Sequence, residues 1–194
     1  MTNKRFERIQ EVVSKRQKSL TIILENIHDP HNVGAILRSA DAVGIDTVYL
    51  VYNTCKFPKV GRVSSASADK WIGLKKFKNV QECFKELREN KYKIYSTHIS
   101  DSKKNYSLFE LNLTGNVALV FGNEHEGVSD EVKNLADRNF IVPMYGMVQS
   151  LNVSVTVAVC LYEALRQREL KGKYDKSGFN KRELKEKLEH YLKK

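Results

Sequence analysis

A chain of 194 residues with 41% hydrophobic content is sized for one domain with a sizeable core, which excludes a disordered or fibrous protein. No apolar run approaches the roughly 20 residues that cross a membrane, and the start MTNKRFERIQEVV lacks the apolar stretch of a signal peptide, so a soluble cytoplasmic protein is expected. The net charge is +10, and the three cysteines, Cys55, Cys83 and Cys160, are too scattered to signal a disulfide framework or a zinc site.

In chain order, RFERIQEVVSKRQ reads as a charged helix within a basic N-terminal extension, residues 1–18. LTIILEN (20–26) is a short apolar strand, and NVGAILRSADAVG (32–44) has helical spacing with Gly44 placed to close it. TVYLVY (47–52) is a second strand, the basic stretch 53–70 reads as a loop or short helix, and WIGLKKF (71–77) reads as a further strand. VQECFKELREN (80–90) puts Val80, Phe84 and Leu87 on one helical face, KIYSTHI (93–99) returns to strand, and NVALVFG (116–122) is the clearest buried strand. Ser129 can cap a helix with Asp130 and Glu131 in its first turn, where carboxylates suit the positive helix end. FIVPM (140–144) reads as the last strand, before a helix over about 150–168. GKYDKSGFN (172–180) is a linker, and KRELKEKLEHYLKK a charged helix, both within a basic C-terminal extension, 169–194.

This alternation predicts an α/β domain over residues 19–168, a mostly parallel sheet with helices on both faces. Ligands of such sheets gather beyond the carboxyl ends of the strands. Three such ends are STHIS (96–100), FGNEHEG (121–127) and PMYGMVQSLN (143–152).

The charge is segregated. Residues 1–18 carry six Lys/Arg against two Glu, residues 165–194 eleven against five acids, and the interval 19–164 has 16 of each sign. The positive excess lies on the termini, which favours a polyanionic partner over a merely solvated surface. Within the neutral interval, KFPKVGRVSSASADKWIGLKKFK (56–78) stands out, with seven basic residues and one Asp.

Neither G-x-G-x-x-G after the first strand nor G-x-x-x-x-G-K is present, which argues against a Rossmann dehydrogenase and an NTPase. His28 and His31 are the closest histidine pair, but no Cys or carboxylate cluster completes a site, so no metal is expected. Gln149, Ser150 and Asn152 crowd the mouth of the last long helix, where one cap would suffice, and this suggests a ligand held there. In FGNEHEGVSDE, Asn123, Glu124 and Glu126 can accept hydrogen bonds, although a plain strand-to-helix turn accounts for the same residues. Arg38 interrupts a small, apolar helix; an ion pair with Asp41, three residues on, is one account of it and chemistry the other.

HNVGAILRSADAVG, LVFGNEHEGVSDE and IVPMYGMVQSLNVSVTVAVCLYEALRQR resemble, in order, the three motifs of the SpoU RNA ribose 2′-O-methyltransferases. Within them the chain is most similar to the tRNA (guanosine(18)-2′-O)-methyltransferase branch, from about residue 4 into the 160s. The resemblance implies a SPOUT fold with a C-terminal deep trefoil knot, a homodimer, and S-adenosyl-L-methionine as cofactor. It implies methylation of the ribose 2′-hydroxyl of guanosine 18 in the D-loop of a tRNA. A ribosomal RNA or another tRNA position is the alternative within the family. By the same resemblance Thr97, Phe121, Gly122, Ile141, Met144, Ser150, Leu151 and Asn152 surround the cofactor, and Arg38, Asn32, Glu124, Ser150 and Asn152 serve catalysis. Arg38 matches the residue that activates the hydroxyl. Since arginine holds its proton tightly, it is expected to work together with a substrate phosphate, either accepting the proton transiently or stabilising the developing alkoxide. Asn32 is expected to support it, and the basic termini to hold the tRNA backbone.

Overall fold

The computed structural model describes residues 2–58, 68–98 and 105–194. Its sheet is built from β1 (Leu20–Glu25), β2 (Thr47–Val51), β3 (Gly73–Phe77), β4 (Lys93–Thr97), β5 (Asn105–Ser107), β6 (Val117–Phe121) and β7 (Arg138–Ile141). The spatial order is β3-β2-β1-β6-β4-β7-β5, and every pairing between these strands is parallel. The helices of the described residues are α1 (Asn3–Lys15), α2 (Pro30–Ala42), α3 (Val80–Glu89), α4 (Asp130–Leu135), α5 (Val153–Leu170) and α6 (Lys181–Leu192).

The central strands β1 and β6 are buried at every residue, as a parallel sheet covered on both faces requires. Their alternate side chains sort into two cores. Ile22, Leu24, Leu119 and Phe121 pack with Ile36, Leu37 and Ala40 of α2 and with Val157, Leu161 and Ala164 of α5. On the other face Ile23, Ala118 and Val120 pack with Val80, Phe84 and Leu87 of α3 and Val132 of α4. The expected helices on both faces are therefore present.

Local chemistry sets the element ends. Asp29 caps α2, accepting from the His31 amide, with Pro30 in the first turn. The helix closes at Gly44, φ +81°, with Gly44 N donating to Asp41 O and Ile45 N to Ala40 O. That is the paired closure in which glycine takes the left-handed position. Ser129 caps α4 as the sequence indicates. Two boundaries differ. β7 runs over Arg138–Ile141 rather than 140–144, because Pro143 has no N–H for the ladder. α5 starts at Val153, with Asn152 and not Ser150 as its cap, and extends to Leu170. β5 has no counterpart in the sequence reading: three half-buried residues are too short to show a period. Of the predicted segments, residues 59–67 in the basic stretch and 99–100 after β4 lie outside the described residues. Among the described residues no helix is long and apolar enough to cross a membrane.

Among the described residues two guanidinium groups are fully buried. Arg168, near the end of α5, donates to the carbonyls of Leu113 (2.9 Å), Gly115 (2.6 Å) and Ser19 (2.9 Å), to Ser19 Oγ (2.9 Å) and to Gln17 Oε1 (3.1 Å). It ties the end of α5 to the chain entering β1 and to the loop entering β6. Burial pushes its pKa down to about 10, so it stays cationic at neutral pH. Arg16 donates to Ile45 O at 2.8 Å and is ion-paired with Asp41. The terminal helices pack on one another, Ile9 and Val13 of α1 against Tyr191 of α6, with Trp71, Leu184 and Leu188 around them.

Replacing Arg168 with Met should lower the unfolding free energy by about 3 kcal/mol or more, since several buried acceptors lose their donor. Lys should not rescue, because a point charge cannot span the fork. Urea unfolding measures this, and an unchanged midpoint in Arg168→Met contradicts the clamp.

Candidate active site

The ends of β4, β6 and β7 and the chain from Val142 to Asn152 enclose a cavity of about 430 Å³ at the carboxyl edge of the sheet. Its wall contains Thr97, Phe121, Gly122, Ile141, Met144, Ser150, Leu151 and Asn152, the eight residues expected around a cofactor. His98, Asn123, Phe140, Val142, Gln149, Val153 and Thr156 line it as well. Of these, Gln149 was signalled by the crowded helix mouth and Asn123 by the acceptor-rich loop. Thr156 sits one turn beyond Asn152, a spacing that could have found it.

The loop after β6 is folded tightly. Asn123 Oδ1 accepts from the amides of His125 (2.9 Å) and Glu126 (2.8 Å), and Gly127 N donates to Asn123 O at 3.0 Å. Only glycine fits at 122, since a Cβ there would lie 1.9 Å from Gly127 O. The far end of the loop is fixed from beneath by buried Glu25, whose Oε2 accepts from Ser129 N at 2.8 Å. Glu124 is thereby held over the start of α2.

Three distant segments meet there. Asn32 Nδ2 donates to Glu124 Oε1 at 2.6 Å, and Asn152 Nδ2 donates to Asn32 Oδ1 at 3.1 Å. Asn152 Oδ1 meanwhile accepts from Ser154 N at 2.8 Å, capping α5. One side chain of Asn152 thus starts a helix with its oxygen and ties the loop to α2 with its nitrogen. Ser150 is exposed on the cavity wall, with no side-chain hydrogen bond among the described residues. Beside the cavity the chain bares apolar groups: Tyr145 and Met147 are each 99% exposed.

Asn32, Glu124, Ser150 and Asn152 are therefore brought together, and Arg38 is not. It lies six residues along α2 from Asn32, roughly 9 Å up the helix axis, exposed and outside the cavity wall. The alternative account of Arg38 is not what forms either, since the Asp41 carboxylate pairs with Arg16. Among the described residues Arg38 has neither an ion pair nor a side-chain hydrogen bond. No group of three or more His, Cys, Asp or Glu among the described residues could hold a metal ion.

Comparison with known proteins puts this geometry in a family. The tRNA (guanosine(18)-2′-O)-methyltransferase of Thermus thermophilus is 43% identical over 175 residues, 90% of this chain and 89% of that protein. The crystal structure of the Aquifex aeolicus TrmH/SpoU tRNA modifying enzyme superposes with a TM-score of 0.90 at 36% identity, covering 98% of this chain and 96% of that one. The SpoU methyltransferase AviRb of Streptomyces viridochromogenes, solved in complex with the cofactor AdoMet, shares the fold at a TM-score of 0.70 and 23% identity, over 81% of this chain and 62% of that one. The SpoU rRNA Methylase family matches residues 19–162, from the segment entering β1 well into α5 and so through every segment that lines the cavity: the chain belongs to that family.

Proposed function

We propose that this chain methylates the ribose 2′-hydroxyl of guanosine 18 in the D-loop of a tRNA, using S-adenosyl-L-methionine, as a cytoplasmic homodimer with a C-terminal deep trefoil knot. The observation that carries this reading is the Glu124–Asn32–Asn152 chain of hydrogen bonds, standing at the mouth of a cavity whose wall holds all eight expected cofactor residues. The cavity fits a donor of that size, since small-molecule sites span roughly 300–1,000 Å³. Its lining suits the donor's chemistry too. Phe121, Ile141 and Leu151 offer apolar surface, while Thr97, Ser150, Asn152 and the amino end of α5 offer polar contacts.

Bound there, the sulfonium would supply an already electrophilic methyl group, which calls for no metal. What remains for the protein is to orient the ribose and to help its hydroxyl pass a proton, by way of a substrate phosphate, to solvent as the oxygen takes the methyl and the methyl–sulfur bond would break. Arg38 is assigned to that step, paired with a substrate phosphate, where a guanidinium binds two oxygens at once and stabilises developing negative charge. Asn32 and Glu124 hold the start of α2 against the binding loop. Ser150 and Asn152 shape the cavity where donor and ribose meet.

Arg38 reaches a cavity in this reading through a second copy. Met144, Leu151, Val155 and Tyr162 form an exposed apolar strip from the binding loop along α5, 36%, 37%, 47% and 54% exposed respectively. Such a strip is suited to burial against a partner subunit, with Arg38 serving the partner's cavity. The basic extensions, 1–18 and 169–194, flank the catalytic domain 19–168. Since α1 and α6 pack together, Lys4, Arg5, Lys181 and Lys185 belong to one exposed basic layer, suited to the tRNA backbone.

Arg38→Ala and Arg38→Lys should each lower methylation by about 100-fold or more, with donor affinity unchanged by calorimetry. Mixed dimers of Arg38→Ala and Asn152→Ala subunits should regain activity that neither variant has alone, because one of their two sites is complete. No recovery would place Arg38 and the cavity on the same subunit. Reversing the charge of Lys4, Arg5, Lys181 and Lys185 together should weaken tRNA binding by roughly tenfold or more at low salt. Equal loss of tRNA and donor affinity would count against the basic layer.

A further inference from the structure

The carboxyl edge that bears the cavity continues past β1 to the outer strand β3, where residues 56–57 and 76–78 of the basic stretch lie. Register fixes this continuity: Phe77 lies beside Val51, Val51 beside Glu25, and Leu24 beside Phe121. At this corner Lys76 Nζ sits 5.1 Å from the centre of the Phe57 ring, and Phe57 meets Tyr52 edge-on at 5.2 Å. Tyr52 is anchored in turn, donating to Ile27 O at 3.0 Å, in the segment that leads from β1 to Asn32. Lys75 is neutralised by Glu86. Lys56, Lys76 and Lys78 are exposed, and none has an acidic partner among the described residues.

We propose that Lys56, Phe57, Lys76 and Lys78 form a ledge that binds single-stranded RNA next to the nucleotide in the cavity, the lysines meeting phosphates and Phe57 stacking on a base. This rests on the RNA-methylating reading above, and adds a substrate contact separate from the terminal helices. Charge complementarity favours RNA: lysines without acidic partners, one of them over the ring of an anchored aromatic, are the two components of single-strand binding, phosphate attraction and sequence-tolerant stacking. The span suits it. Three strand spacings of about 4.8 Å separate β3 from β6, so the ledge lies on the order of 14 Å from the start of the cavity, a few nucleotides along a strand. Lysines on an edge strand also discourage sheet-to-sheet association. That role explains Lys76 but not an anchored Phe57 under its ammonium, nor the exposed Lys56 and Lys78 beside them in the chain.

The test measures affinity for an unmodified tRNA transcript across a salt series, with donor affinity and methylation measured alongside. The triple variant Lys56→Gln, Lys76→Gln, Lys78→Gln should bind tRNA more weakly and flatten the log–log salt slope by about 2, three contacts at roughly 0.7 each. Phe57→Leu, which keeps an apolar contact for Tyr52, should weaken tRNA binding severalfold with the salt slope unchanged, and neither variant should alter donor affinity. If wild type methylates tRNA and both variants keep its tRNA affinity and slope, the ledge is overturned while the methylation reading stands. If wild type neither binds nor methylates tRNA, that reading falls and takes the ledge with it. Parallel loss of donor affinity in both variants would also overturn the ledge, since it would mean a disturbed cavity.

Discussion

The Asn32 amide is the joint on which the site depends. Its two ends reach groups 92 and 120 positions away along the chain, one a carboxylate and one the cap of an 18-residue helix. A hydrogen bond to a carboxylate is stronger than a neutral one, and the three-group chain leaves each amide little freedom to turn. The loop after β6, the amino end of α2 and the chain entering α5 are thus locked relative to one another. The loop after β6 and the chain entering α5 are irregular by themselves, and irregular backbone holds a cavity open only where something outside it fixes its ends. Glu25 does this from below and Asn152 from the side.

Around this joint the charges are divided between two tasks. Arg168 and Arg16 are buried and donate to fixed acceptors, with Arg16 Nε alone of their donors left without a partner among the described residues, so their role is to bind chain segments together at the end of the sheet away from the cavity. Arg38 is the opposite case, a cation left exposed on a helix whose neighbouring residues Ala35, Ile36, Leu37 and Ala40 are apolar. Having no acceptor inside its own described chain keeps it available to a phosphate. The terminal helices α1 and α6, from the two segments that carry the positive excess, pack on one another through Ile9, Val13 and Tyr191.

Much of this was legible in the sequence, for identifiable reasons. Strands with every residue buried, such as β1 and β6, declare a covered parallel sheet through their apolar runs; Gly44 and Ser129 mark helix ends because few residues can do what those positions require. The crowding of Gln149, Ser150 and Asn152 pointed to a ligand, and all three lie on the cavity wall. What escaped depends on contacts between distant positions. The Arg16–Asp41 pair spans 25 residues, and an i, i+3 reading of Asp41 could not see it. The packing of α1 on α6 joins opposite ends of the chain, and β5 is too short to carry a pattern. That Arg38 stands off its own cavity is likewise invisible to spacing, because it is a matter of which face α2 turns to solvent.

Delivery of a methyl group from this cavity to a sugar oxygen of one guanosine in tRNA is the central claim. The most direct measurement incubates the protein with methyl-labelled S-adenosyl-L-methionine and an unmodified tRNA transcript, digests the product, and locates the label by nucleoside analysis and position mapping. The expected product is 2′-O-methylguanosine at position 18 in the D-loop. Label on a base, or on a ribose elsewhere with position 18 unmodified, would contradict it.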